Sequence, residues 1–219
     1  IYVPAEPADR DALETWLSDR VGRKVRIVVP QRGEKRGFVD LANRNAALAY
    51  QTRFNQAQTA QYDALETLQQ VLRLPQAPLR IECFDISTIQ GSETVASMVV
   101  CEDGRMRRGE YRKFRIRGSA QDDFAAIHEV VLRRYRKLLE LGGLFPDLVL
   151  IDGGKGQLSA AYAALEELGL ANLVAIGIAK KEELLYTREH EDPIALPPHD
   201  PALLLIQRIR DEAHRFAVT

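Results

Sequence analysis

The order of elements along the chain predicts an α/β protein, in which a mixed five-stranded sheet is flanked by helices and preceded by a smaller α/β and helical segment. Three observations carry this. Short runs rich in aliphatic and β-branched residues, Arg80–Ser87, Thr94–Cys101, Leu148–Asp152 and Leu173–Ile178, have the length and composition of strands. Amphipathic stretches with apolar residues at three- and four-residue steps lie between and after them. A linker with two prolines, Leu74–Pro78 (L-P-Q-A-P), separates all of these from what comes before, which divides the chain into residues 1–78 and 79–219.

Composition narrows the function. The 219 residues carry a formal net charge of −1, with 28% charged and 46% hydrophobic residues. No global field draws such a chain to nucleic acid, so any binding of that kind must come from a local patch. The two cysteines, Cys83 and Cys101, fall in predicted strands rather than at metal or redox spacing. They read as core thiols of a reducing, cytoplasmic compartment. No signal peptide is present and no apolar run is long enough to span a bilayer. The chain starts at Ile1 without a methionine and stops at Thr219 just past a helix, which reads as a piece of a longer protein.

In the first segment, Ile1–Val3 is a short strand ended by Pro4. Asp9 is placed to cap a helix running to about Arg20, with Leu13, Trp16 and Leu17 at helical spacing. Lys24–Val29 (K-V-R-I-V-V) alternates and then turns apolar, a second strand stopped by Pro30. From Glu34 to Leu74 a long helical pattern, expected to break once, places Phe38, Leu41, Leu48, Phe54, Leu65, Leu68 and Leu72 on one side. It reads as a packing and connecting element; Arg32, Lys35 and Arg36 at its start are either phosphate contacts or, as is commoner for basic residues there, simply solvated.

In the second segment, strand Arg80–Ser87 is followed by a turn at Gln90–Gly91 and a strand Thr94–Cys101. A turn at Glu102–Gly104 leads to a third strand near Glu110–Ile116. Asp122 or Asp123 opens a helix to about Leu141, ended by Gly142–Gly143. Strand Leu148–Asp152, loop Gly153–Gly156, helix Gln157–Leu168 and strand Leu173–Ile178 come next, then a polar hairpin (Glu183–Thr187, Pro193–Leu196). The last helix spans Pro201–His214, with Pro201 at a tolerated first-turn position. Three meandering strands, helix, strand, helix, strand, helix is the order of the ribonuclease H-like fold. In that fold the first and fourth strands are neighbours and the last helix crosses them, which would bring Asp85, Asp152 and a residue of that helix together.

Asp85 is the anomaly that starts the functional reading. A carboxylate inside an apolar strand costs several kcal/mol unless a cation, a metal or hydrogen bonds offset it. Alone it is equally an Asp that caps a local turn through Ser87 and Thr88. A second apolar strand ending on Asp152 favours a divalent-metal site built from oxygen ligands. The loop D-G-G-K-G-Q after Asp152 joins a strand to a helix N-terminus, which suits a phosphate approached by Lys155. It is equally a tight turn with a solvated lysine, and it fails both the Walker pattern and the G-x-G-x-x-G fingerprint. Asp211-Glu212-Ala213-His214 spells the helicase box, yet it closes an amphipathic helix instead of a strand. Beside two strand aspartates, His214 reads as a ligand or proton-transfer group. Gly104–Gly118 holds Arg105, Arg107, Arg108, Arg112, Lys113, Arg115 and Arg117 interleaved with Tyr111 and Phe114. That pattern suits a DNA backbone, with the solvated face of an edge strand as the alternative.

These strings together resemble a known family. I-E-C-F-D-I-S, T-V-A-S-M-V-V, E-Y-R-K-F-R-I, D-D-F-A-A-I, D-L-V-L-I-D-G-G-K-G-Q, L-P-P and I-R-D-E-A-H-R-F-A are similar, in that order, to the C-terminal endonuclease domain of the UvrC family of bacterial nucleotide excision repair. The likeness spans about Leu79–Ala217. V-G-R-K-V-R-I-V-V-P-Q-R-G-E-K-R is similar to the part that precedes this domain. The resemblance implies a ribonuclease H-like fold, the incision 5′ to a lesion in damaged double-stranded DNA, and Mg2+ or Mn2+ dependence. It implies an aspartate–aspartate–histidine set, here Asp85, Asp152 and His214, and links Asp123 to the same incision. Asp123 has its own plain reading as a carboxylate at a helix N-terminus. Asp200 stands where the family usually reads Ser. The chain carries neither the family's 3′-cutting nuclease domain, nor its UvrB-docking segment, nor its tandem helix-hairpin-helix domain, so weak or no activity is expected of it in isolation. Two rival readings are a non-catalytic DNA- or protein-docking module of the same fold, and a nucleotide-binding domain using the Gly153–Gly156 loop.

Overall fold

The computed structural model describes residues 1–89, 93–116, 122–180 and 183–219. The anticipated turn at Gln90–Gly91 and the basic Arg117 lie outside them. By contact the chain divides into Ile1–Gln58 and Thr59–Thr219, whereas the change of composition at residue 78 marks where the sheet begins.

The first unit holds helix α1 (Arg10–Val21) and most of helix α2 (Glu34–Leu72). The two strands expected at its start reduce to one parallel bridge, Tyr2 with Val28. Asp9 stands at the N-cap of α1 but its side chain bonds no backbone N–H; Gly22, left-handed at φ 70°, closes the other end by donating to Ser18 O. The break expected in α2 does not occur. After Gly37 the helix contains no glycine or proline, and its Ala- and Gln-rich middle favours propagation.

In the second unit the sheet comprises β1 (Arg80–Ile89), β2 (Glu93–Glu102), β3 (Arg105–Met106), β4 (Arg112–Arg115), β5 (Leu148–Asp152), β6 (Ala175–Ala179), β7 (Leu184–Tyr186) and β8 (Ile194–Ala195). Its order is β3-β2-β1-β5-β6-β7-β8, with β4 also on β2. The predicted five strands are its middle: β4, β2, β1, β5 and β6. β1 is antiparallel to β2 and parallel to β5, as the first and fourth strands of the predicted fold should be. The third strand is shorter than expected, because a 3₁₀ turn at Arg108–Glu110 interrupts it.

Strand alternation sorts the core into two layers. Phe84, Ala96, Met98, Val149 and Ile151 pack against helices α3 (Asp123–Leu141) and α4 (Lys155–Glu167). Ile81, Cys83, Val99, Leu148, Leu150, Ile176 and Ile178 pack on the other face against helix α5 (Pro201–Val218) and the last turns of α2. Asp122 caps α3, its Oδ1 accepting from Phe124 N and Ala125 N, and Asp200 caps α5 in the same way. Both cysteines are free and buried; burial pushes Cys101 up to about 11 and raises Cys83 as well, so neither is a ready nucleophile. Among the described residues no helix is long and apolar enough to cross a membrane.

A second carboxylate is buried in β1. Glu82 is fully enclosed on the α3 face, where it accepts from Arg134 Nη2 at 2.6 Å, Arg134 Nε at 3.1 Å and Tyr135 Oη at 3.1 Å. Arg80 extends this network to Glu102 and Glu110. Here ion pairing and hydrogen bonds offset the cost of burial.

Candidate metal centre

The α5 face of the sheet carries a different kind of acid. Phe84 stands opposite Ile151 in the parallel pair, so Asp85 and Asp152 are the next residues along two adjacent strands, and both turn toward α5. Asp85 is buried at 4% exposure. Its Oδ2 accepts from Ser87 Oγ at 2.8 Å and lies 3.2 Å from His214 Nδ1, on the last turns of α5. One ligand atom from each of Asp85, Asp152 and His214 lies within 4.8 Å of the others, the one such group of three among the described residues.

The electrostatics explain why a cation suits this place. Asp152 is pushed up to about 6, first by desolvation and then by repulsion from Asp85; Lys180 and Arg210 pull it partly back. Two carboxylates share a poorly solvated corner and no cation forms an ion pair with Asp152 among those recorded between described residues. Oxygen donors with one imidazole fit Mg2+ or Mn2+, and a divalent ion would relieve the repulsion that raises Asp152.

Each predicted residue can now be located. Asp85, Asp152 and His214 converge. Asp123 stands exposed in the first turn of α3, outside this group. Lys155 is the first residue of α4, its Nζ 3.5 Å from Glu191 O. Alternation splits the basic strand: Lys113 and Arg115 face the α5 side with Ser97 and Val95, while Arg112 faces the other side and donates to Gly109 O and Tyr111 O. Lys113 donates to Ala217 O at 3.4 Å and its ammonium lies 5.1 Å from the centre of the Phe216 ring.

The residues of D-E-A-H all have packing partners: Asp211 receives Arg210, Glu212 receives Tyr111 Oη and Arg215, Ala213 O receives Ser97 Oγ, and His214 meets Asp85. Gly177 on β6 was not anticipated. A side chain there would put its Cβ 2.6 Å from Gly153 O, so the loop after Asp152 can lie across β6 only because residue 177 has none. Lys180 and Arg210 were also missed. Arg210 is buried and pairs with Glu183, the residue before β7. Nothing local in the sequence marks either of them.

Comparison with known proteins agrees with the resemblance in the motifs. The family described as UvrC RNAse H endonuclease domain matches residues 69–218, and the UvrC Ribonuclease H-like domain matches residues 1–53. UvrABC system protein C of Acidobacterium capsulatum is 53% identical over 220 residues, covering 100% of this chain and 34% of that protein. Its counterpart in Koribacter versatilis is 54% identical over 222 residues, with 100% and 36% covered. The chain thus spans about a third of the length of these curated relatives. A Ciona intestinalis endonuclease V, solved with DNA containing an inosine, overlaps 64% of this chain and 84% of its own at 13% identity and a TM-score of 0.39, a loose likeness.

Proposed function

The chain belongs to the UvrC RNase H endonuclease domain family, and on that premise we propose that it is the metal-dependent nuclease domain that makes the incision 5′ to lesions in damaged double-stranded DNA during nucleotide excision repair. The single observation that carries the reading is the convergence of Asp85, Asp152 and His214 from β1, β5 and α5. A Mg2+ or Mn2+ ion held by these residues would supply positive charge against the scissile phosphate and lower the pKa of a water for attack on phosphorus.

The chain's own groups do the rest. Asp85 and Asp152 offer oxygen donors from rigid strands, so their separation is set by the sheet. His214 engages Asp85 through Nδ1, which leaves Nε2 either as the third ligand of the ion or as the group that holds or moves a proton. Lys180 and Arg210 temper the negative charge that would repel a phosphodiester. Lys113 and Arg115 on the same face, Arg112 on the other side of β4 and Lys155 at the start of α4 supply the phosphate contacts that position DNA. Asp123, exposed at the start of α3 and outside this group, is the further residue assigned to the incision. The protein partner in this reading is UvrB, within the excision repair complex.

The test is incision of a lesion-bearing duplex by the full-length protein with its repair partners. Asp85→Ala and His214→Ala are each expected to lower the 5′ cut by about 100-fold or more, with the 3′ cut retained. Unchanged 5′ incision in either variant would sink the assignment and leave the fold as a docking module.

A further inference from the structure

Asp85, Ser97 and Lys113 stand level with one another on three adjacent strands, β1, β2 and β4. All three side chains face α5, and each meets a different point of its last turns. Asp85 Oδ2 meets His214 Nδ1 at 3.2 Å, Ser97 Oγ donates to Ala213 O at 2.8 Å, and Lys113 Nζ donates to Ala217 O at 3.4 Å. Two of the three contacts therefore hold backbone carbonyls on either side of His214.

We propose that Ser97 is a positioning residue of this nuclease centre, fixing the axial register and rotation of the end of α5 so that the His214 imidazole meets Asp85, with Lys113 as the second tie. The inference rests on reading Asp85, Asp152 and His214 as the metal centre.

Apolar packing alone specifies α5 loosely here. From Ile209 onward the helix buries Ile209, Arg210, Ala213 and Ala217, so two of its three buried apolar residues are alanines, which present a smooth face to the sheet, and the Phe216 ring on Tyr111 is the one large apolar contact of the last turn. Successive residues on a helix are about 100° apart, so a modest rotation would swing His214 off the sheet. Ser97 narrows that freedom next to His214 itself, beside the Tyr111–Glu212 and Arg210–Glu183 contacts. It is fully buried, its hydroxyl must find a partner, and the partner lies on the helix rather than on a neighbouring strand. Ala213 O belongs to a turn already inside the helix, so this bond uses the carbonyl's second lone pair and is not the rescue of an orphan group. Ala217 O is a different case. It is one of the last carbonyls of α5, without a partner in the helix, and a lysine there also suits the negative end of the dipole.

The experiment compares the metal-free 219-residue chain with Ser97→Ala and Ser97→Thr by ¹⁵N NMR of the His214 ring, then titrates each with Mn2+. Ser97→Ala is expected to move the His214 Nδ1 resonance away from its Asp85-bonded position and to weaken Mn2+ binding by about 10- to 100-fold. Ser97→Thr, which keeps the hydroxyl, should restore both. A Ser97→Ala chain that melts lower but shows unchanged His214 resonances overturns the inference, because Ser97 then serves stability alone. If the resonances move with Ser97 but the wild-type chain binds no Mn2+, the positioning role stands and the metal-centre reading falls.

Discussion

Replacing Asp152 by asparagine should make the metal-free protein more stable while abolishing the site. The folded protein raises this carboxyl from 3.8 to about 6. The sign follows from proton binding. Between those values the native state holds a proton that the unfolded chain has released, so stability falls as pH rises through this window and stays reduced above it. That rise corresponds to about 3 kcal/mol at neutral pH. Asn keeps the shape and removes the charge. At pH 7.5 Asp152→Asn should therefore gain up to about 3 kcal/mol, which is on the order of 6–12 °C in melting temperature for a chain of this size. At pH 5 the gain should shrink to about half, because the wild-type carboxyl is then largely protonated in the folded state. Differential scanning calorimetry in EDTA at the two pH values measures both numbers. Saturating Mn2+ should reverse the order by stabilising wild type alone. An Asp152→Asn protein no more stable than wild type at pH 7.5, or a gap that does not narrow toward pH 5, would refute the claim that burial and Asp85 strain this carboxylate.

Other outcomes follow from features elsewhere in the fold. Arg134→Ala takes the nearest cation from the enclosed Glu82, leaving it Tyr135 Oη and the more distant Arg80, and should cost about 3 kcal/mol, read by urea unfolding; a loss under about 1 kcal/mol would show that the network tolerates water. Gly177→Ala drives a Cβ into the Gly153 carbonyl and should cost about 1–3 kcal/mol while weakening Mn2+ binding, both measured on the same purified chain. Asp122→Ala removes the cap of α3 and should cost about 1 kcal/mol, seen as a lower melting point with no change in Mn2+ affinity. Lys155→Ala should weaken DNA binding alike on damaged and undamaged duplex and reduce the slope of log affinity against log salt by about 1; a sequence- or lesion-dependent loss would mean that Lys155 reads more than a phosphate.

What could be read from the sequence was whatever violates its surroundings. Asp85 and Asp152 stood out because a carboxylate within or ending an apolar strand is out of place, and His214 became visible only in their company. The fold order was equally legible, since apolar period and glycine punctuation mark β1, β2, β5 and β6 directly. Glu82 escaped notice although it is more enclosed than Asp85, because R-I-E-C looks like simple alternation when the partners Arg134 and Tyr135 lie more than fifty residues away. Ser97, Gly177, Lys180 and Arg210 owe their importance to cross-strand register and helix docking, which no local pattern records. The shortened third strand and the unbroken α2 were missed for the opposite reason: local propensity was read too literally where tertiary packing and an uninterrupted run of good helix formers decided.

The contact between Asp85 and His214 closes a loop of 129 residues. Joining chain positions so far apart is slow, because the entropy of closure must be met before the contact repays it. During synthesis the first strand, its partners and two helices are all made before residue 214 leaves the ribosome. No shorter nascent chain can hold all three groups of the candidate centre, so the proposed cutting geometry can form only after residue 214 has been made.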